Sequence, residues 1–172
     1  REEGKPWVAL RTSLPPALLK RLQAGLKALD AQAVDRTKAL ATALEADREK
    51  LLAWADLETA LGKVRLGGEL DRSAYQLRRF AELAERGVPF DTLNDPAMPG
   101  APRVGHPAMQ RQRVPLGPVA VFAASNFPFA FSVLGGDTAS ALASGCSVVV
   151  KAHPGHPGLS QQVFSIVQRV LK

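Results

Sequence analysis

Leu116-Gly117-Pro118-Val119-Ala120-Val121-Phe122 and Ser147-Val148-Val149-Val150 are the two runs on which the fold turns. Each is short, apolar and bounded by turn residues, the pattern of a strand buried on both faces of a parallel sheet. Between them, Phe129 to Ser144 has helical composition and stops at Gly145. Gly135-Gly136 falls inside that expected helix. Two interior glycines cost roughly 1 kcal/mol each relative to alanine, so they point to close packing rather than to a phosphate loop. After the second run, Leu159 to Leu171 reads as an amphipathic helix with Val163, Ile166, Val167 and Val170 on its apolar side. Strand, helix, strand, helix implies a parallel crossover and the α/β class: the first β-α-β-α of a doubly wound, Rossmann-like sheet, incomplete at two strands.

Upstream the pattern is helical. Pro15 and Pro16 suit the first turn of a helix, and Leu18, Leu22, Leu26 and Leu29 line one face of it. Leu40 and Leu44 mark a second segment, and Leu51, Trp54, Leu57 and Leu61 a third. From Asp71, the positions Ala74, Leu77, Ala81 and Ala84 share a face, with Gly87 as a C-terminal stop. Residues 15–86 therefore read as three or four packed helices. Pro89, Pro96, Pro99, Pro102 and Pro107 then make an extended or looped connector. Three parts are expected: a helical part over 1–87, a Pro-rich connector over 88–113, and the half-sheet over 114–172.

Composition narrows the function. The net charge is +6, but the 22 Lys/Arg are interleaved with 16 Asp/Glu and only 6% of residues are aromatic. A nucleic-acid binder concentrates its cations on one face and adds stacking rings, so none is expected here. No apolar run reaches the ~18–20 residues of a membrane span, and the charged start Arg1-Glu2-Glu3 has no apolar stretch behind it to read as a signal peptide. A single cysteine, Cys146, leaves no disulfide framework and fits a reducing, cytoplasmic setting. It precedes an apolar strand with no basic neighbour before Lys151 to lower the thiol pKa, so it reads as structural. His153 and His156 are separated only by Pro154 and Gly155, with no carboxylate nearby in sequence, so no metal site is expected.

Ligands of open α/β sheets bind at the carboxyl ends of the strands. Two polar segments fall there: Ala123-Ala124-Ser125-Asn126-Phe127-Pro128 and Lys151-Ala152-His153-Pro154. Asn126 either caps the following helix, which its residue type alone favours, or donates its amide to a developing oxyanion. Lys151 either holds a ribose or phosphate or marks a strand leaving the core. Neither G-x-G-x-x-G nor a P-loop is present.

At these segments the chain resembles the aldehyde dehydrogenase superfamily. The motifs that carry the likeness are Val114 to Phe122, Ser125-Asn126-Phe127-Pro128, and Ala143-Ser144-Gly145-Cys146-Ser147-Val148-Val149-Val150-Lys151, in the family's order and spacing. It is strongest over about 110–160 and extends more weakly through Glu58 to Leu61 and Gly68 to Arg72. Lys151 to Gly158 is similar to the branch with NADP+-dependent aldehyde and 2-oxoglutarate semialdehyde (2,5-dioxopentanoate) dehydrogenases. The resemblance implies an N-terminal part of an NAD(P)+-dependent enzyme, homo-oligomeric when intact, that oxidises an aldehyde or semialdehyde to the acid. It implies that Asn126 belongs to the oxyanion hole, overriding the cap. Cofactor contacts are implied at Ala123, Ala124, Ser125, Lys151, His153 and Pro154. Ser125 departs from the tryptophan many relatives carry. Pro154 stands where NAD+-preferring members often place a glutamate, which favours NADP+ while leaving NAD+ open. The family's cysteine nucleophile and glutamate base fall later than Lys172, so this chain alone is expected to be inactive. The alternative is a non-catalytic nucleotide-binding or interaction protein that reuses this half-domain.

Overall fold

The structure, a computed structural model, describes residues 32–100 and 105–172. The expected helix over Leu18 to Leu29 lies outside them. Three helices come first: α1 (residues 32–46), α2 (Arg48–Thr59) and α3 (Lys63–Glu85). The turn between α2 and α3 is made by Ala60 in the left-handed region at φ 53° and by Asp56, whose carboxylate accepts the Gly62 N–H at 2.9 Å. Gly87, at φ +72°, stops α3 as its position in the sequence implies.

Two helical readings need correction. α3 begins at Lys63 rather than Asp71 and runs straight through Gly67-Gly68. Leu66 and Leu70, four apart and fully buried, anchor that extra length in the core, and this outweighs the low helix propensity of the two glycines. On α2 the buried face is Leu51, Leu52 and Ala55. Leu57 is 77% exposed and Trp54 lies at the rim, so the face expected from Leu51, Trp54, Leu57 and Leu61 is rotated.

The connector carries more order than its prolines suggest. After a 3-10 turn at Val88–Phe90, β1 (Thr92–Asp95) pairs antiparallel with β2 (Met109–Gln112), and Met98 bridges His106 beyond them. Pro89 opens the 3-10 turn, where its missing N–H costs nothing, and Pro96, Pro99 and Pro107 fall between paired positions. The ladder survives because no proline is asked to donate to it.

β3 (Val119–Phe122) and β4 (Val148–Lys151) are neighbouring parallel strands joined through α4 (Gly136–Ala143), with α5 (Pro157–Leu171) after β4. The register pairs Val119 with Val148 and Phe122 with Lys151. Two expectations fail here. The strands are not buried on both faces: Val121 is buried, whereas Phe122 and Val149 are 71% and 66% exposed, because the described helices cover one side only. The helix expected from Phe129 is confined to Gly136–Ala143. Residues 128–135 form tight turns instead, with Gly135 N–H donating to Ser132 O and Gly136 N–H to Ala130 O, both at 3.0 Å. Gly135 is the cap of α4 and Gly136 its first residue, so neither is helix-interior. A Cβ on Gly135 would lie 2.4 Å from the Ala130 carbonyl oxygen, which is why glycine stands there.

One core joins the helices to the half-sheet. Leu40 and Leu44 of α1, Leu51 of α2, Leu66, Leu70 and Leu77 of α3, Phe129, Val133 and Leu134 of the turn, and Leu159, Val163 and Ile166 of α5 form a single buried cluster. Exposed ion pairs span it outside, Arg78–Glu45, Arg48–Asp71 and Arg169–Asp47 among them. Each is worth about 0–1 kcal/mol, so the apolar cluster holds the layers together.

Candidate functional site

The register that pairs Phe122 with Lys151 sends two segments off the same edge of the sheet, side by side. Ala123 N–H donates to the Lys151 carbonyl at 2.9 Å, extending the ladder by one residue. Ala124 N–H then donates to Phe131 O at 2.8 Å, and the chain folds back through Ser125 and Asn126 into the turn. Ala123 and Ala124 are half-buried; Ser125 and Asn126 are exposed. Asn126 does not cap a helix: α4 starts at Gly136, capped by Gly135, well beyond it. The carboxamide of Asn126 has no protein partner among the described residues, and only its main-chain carbonyl is held.

The second segment is a tight turn. His156 N–H donates to His153 O at 3.1 Å, and Gly155 N–H donates to His153 Nδ1 at 3.1 Å, which places the neutral ring's proton on Nε2. Lys151 and Pro154 are exposed and His153 is half-buried, on the same loop. His156 turns inward, with its ring centroid 4.9 Å from that of His153. Burial pushes its imidazole pKa below the usual value and the neighbouring His153 adds to the effect, while Glu58 opposes it. Among the described residues no group of three His, Cys, Asp or Glu is placed to hold a metal ion. Cys146 is buried behind α4.

Three residues that the sequence pattern did not single out hold these loops from the helical side. Glu58, at the end of α2, accepts the N–H groups of Gly158 at 2.6 Å and Leu159 at 3.0 Å, in the first turn of α5. Arg65 of α3 donates through Nη2 to the carbonyl of Asn126 at 2.7 Å, and its guanidinium lies 5.2 Å from the centre of the Phe127 ring. Glu69, four residues on and buried, receives Arg65 Nε on one oxygen and the Phe129 N–H on the other, each at 3.4 Å. A faint signal existed: Glu69 sits in the apolar stripe of Leu66, Leu70, Ser73 and Leu77, where a carboxylate demands a partner. Glu58 stood only within the weaker stretch of the family likeness, with no sign of its role, since its partner Gly158 is 100 residues away.

A broad apolar groove of about 410 Å3, lined by Leu40, Val133, Val150 and Phe164 among others, includes none of the residues of the two edge loops. The loops, not the groove, carry the polar chemistry.

The profile of the aldehyde dehydrogenase family matches residues 26–171. The chain belongs to that family. It is 46% identical over 143 residues to alpha-ketoglutaric semialdehyde dehydrogenase 2 of Azospirillum brasilense, a match covering 79% of this chain and 27% of that protein. It is 43% identical over 140 residues to alpha-ketoglutaric semialdehyde dehydrogenase of Acinetobacter baylyi, covering 81% and 27%. The chain thus spans about a quarter of the length of these relatives. Among solved structures, aldehyde dehydrogenase 21 of Physcomitrella patens, in complex with the reaction product succinate, superposes with a TM-score of 0.70 at 19% identity, over 82% of this chain and 28% of that one. At that identity the likeness concerns the fold.

In this aldehyde dehydrogenase chain the start of α5 does not offer the open ring of N–H groups that usually seats a dinucleotide phosphate. Its first turn is filled by the Glu58 carboxylate. What the edge presents is Lys151, small-residue backbone at 123–125, and the amide of Asn126. Among the described residues no helix is long and apolar enough to cross a membrane.

Proposed function

We propose that this chain contributes the adenosine-side cofactor contacts and one oxyanion donor to an NAD(P)+-dependent aldehyde dehydrogenase acting on a semialdehyde of the alpha-ketoglutaric type, with NADP+ preferred. The observation that carries the proposal is the Phe122–Lys151 register, which puts the Asn126 loop and the Lys151 loop on one sheet edge. The names of the two curated relatives supply the substrate class. The parts would be a helical support over 1–87, a connector over 88–113 and the cofactor half-sheet over 114–172.

The edge suits a dinucleotide with a 2′-phosphate. Lys151 is exposed at the strand end, and the described residue at 154 is proline, which neither repels a phosphate nor accepts from a ribose hydroxyl. Ala123, Ala124 and Ser125 let a ring approach the backbone, and His153 borders the same loop. When bound, the nicotinamide group accepts the hydride. The asparagine amide, with no internal partner, donates to the oxygen that becomes negative as a thiolate adds to the aldehyde. The thiolate, and the base for thioester hydrolysis, belong to parts of the family fold outside this stretch. A homo-oligomeric, cytoplasmic enzyme completes the reading. Sedimentation of the full-length protein and fractionation of its cells test those two statements.

The deciding experiment compares Lys151→Ala and Pro154→Glu in the full-length dehydrogenase by direct titration with NADP+ and NAD+. An exposed lysine–phosphate pair is worth about 1 kcal/mol, roughly fivefold in affinity. Lys151→Ala should weaken NADP+ by that factor and leave NAD+ nearly unchanged, and Pro154→Glu should move preference toward NAD+. Equal losses for both cofactors would remove the NADP+ assignment.

A further inference from the structure

We propose that Arg65 and Glu69 of α3 are positioning residues for the oxyanion donor, a deepening that rests on Asn126 being that donor. An amide that stabilises a developing charge must be held close to its productive direction before reaction; a loose one must be oriented at the moment it is needed. The Asn126 side chain has no partner of its own among the described residues, so its direction depends on how firmly its backbone is gripped.

That grip comes from outside the sheet. The sheet holds the loop at Ala123, whose N–H donates to Lys151 O; Ala124 N–H donates to Phe131 O within the turn, which Phe131 N–H closes on Phe127 O at 3.2 Å. Between those points the Asn126 carbonyl is fixed by Arg65 Nη2 at 2.7 Å, and the next residue by the guanidinium over the Phe127 ring. Phe127 meets Phe131 edge to face at 5.2 Å, and Arg72, two helical turns beyond Arg65 along α3, lies 5.3 Å from the Phe131 ring. Glu69 ties the arrangement from both sides, one oxygen toward Arg65 Nε and the other toward the Phe129 N–H. Its side chain is only 8% exposed. A buried carboxylate is a poor choice for stability, since an apolar residue of similar volume does as well or better. Here it joins an arginine on the Asn126 carbonyl to the amide three residues later, spanning the loop whose geometry decides where the Asn126 amide points.

The test is a double-mutant cycle in the full-length dehydrogenase, with Asn126→Ala, Arg65→Ala, Arg65→Lys, Glu69→Gln and the Arg65→Ala/Asn126→Ala pair. Arg65→Ala should lower kcat about tenfold or more, with cofactor affinity and thermal midpoint close to the parent. Arg65→Lys should recover part of the loss, because an ammonium reaches a carbonyl but cannot cover the ring or meet Glu69 as a planar fork. Glu69→Gln should fall between the two. The pair should lose no more kcat than Asn126→Ala alone, since a positioning group has nothing left to position. Multiplying losses in the pair, or an Arg65→Ala enzyme with parental kcat, would overturn the positioning role while Asn126 stands. Parental kcat in Asn126→Ala would instead overturn the oxyanion assignment beneath it.

Discussion

Removing the Glu58 carboxylate should loosen α5 from α2 and lower stability by about 2 kcal/mol. The two N–H groups it accepts, Gly158 at 2.6 Å and Leu159 at 3.0 Å, belong to the first turn of α5, where no intrahelical acceptor exists. Pro157 supplies no N–H, so Glu58 satisfies the next two donors together. A charge-assisted hydrogen bond contributes about 1.5–3 kcal/mol when buried, and an anion at a helix start adds roughly 0.3–1 kcal/mol. Glu58 is half-buried, so solvent takes back part of both. Glu58→Ala is therefore expected to cost about 2 kcal/mol. Glu58→Gln should cost about 1 kcal/mol, since its carbonyl oxygen still serves one N–H while its NH2 faces the other. Urea titration followed by circular dichroism reads both as a lower midpoint at constant m, and thermal melts should fall by roughly 4–8 °C for the alanine variant. An alanine variant within about 0.5 kcal/mol of the parent, or a glutamine variant as damaged as the alanine one, would refute the reasoning.

Three further outcomes are expected. Gly135→Ala, whose new Cβ would meet the Ala130 carbonyl oxygen at 2.4 Å and the Ser132 nitrogen at 2.8 Å, should destabilise by about 1–3 kcal/mol; a melt unchanged from the parent would mean that the turn yields freely. Leu77→Ala, at a fully buried position of α3, should cost about 2–5 kcal/mol by the same urea assay, and a loss under 1 kcal/mol would contradict a close-packed core. His156 should make stability sensitive to mild acid. Its imidazole is held below the usual 6.5, so the unfolded chain takes up that proton first; stability falls as pH drops through 6.5 and levels off once the folded ring titrates. Urea midpoints between pH 7.5 and 5.5 should show this slope, and His156→Gln should flatten it. The Glu45 and Asp71 carboxylates, lowered by hydrogen bonds from Arg78 and Arg48, add their own loss only below about 4.5 and 3.8.

The parts of the fold that were legible are those written in local pattern. The apolar runs Leu116 to Phe122 and Ser147 to Val150 announced two parallel strands, and the Val163, Ile166 and Val170 spacing announced α5. What misled was composition without geometry. Phe129 to Leu134 is apolar enough for a helix, but its side chains fill the core from a series of turns, and only the close backbone approach at Gly135 betrays this. The apolar spacing points to a face only from Asp71, because the contacts that anchor Leu66 and Leu70 are long-range. On the edge, strand ends located the Asn126 and Lys151 loops correctly. Arg65, Glu69 and Glu58 escaped because each acts on a partner about 60 to 100 residues away, a distance over which periodicity carries no information.

The reach from α2 to α5 bears on how the chain is made. Glu58 finds Gly158 across 100 residues of sequence, and α5 packs against α2, with Leu159, Val163 and Ile166 in the same buried cluster as Leu51 and Leu52. At ~5–20 residues per second, a ribosome takes roughly 5–20 s to deliver α5 after α2 has emerged. Bringing ends so far apart together costs about 4 kcal/mol of chain entropy before any contact repays it. During that interval α2 stands without the helix that packs against it. The vulnerable moment for this protein is therefore its synthesis, and a lesion in α5 should reveal itself as lost yield of nascent chains before it is seen as a lower melting point.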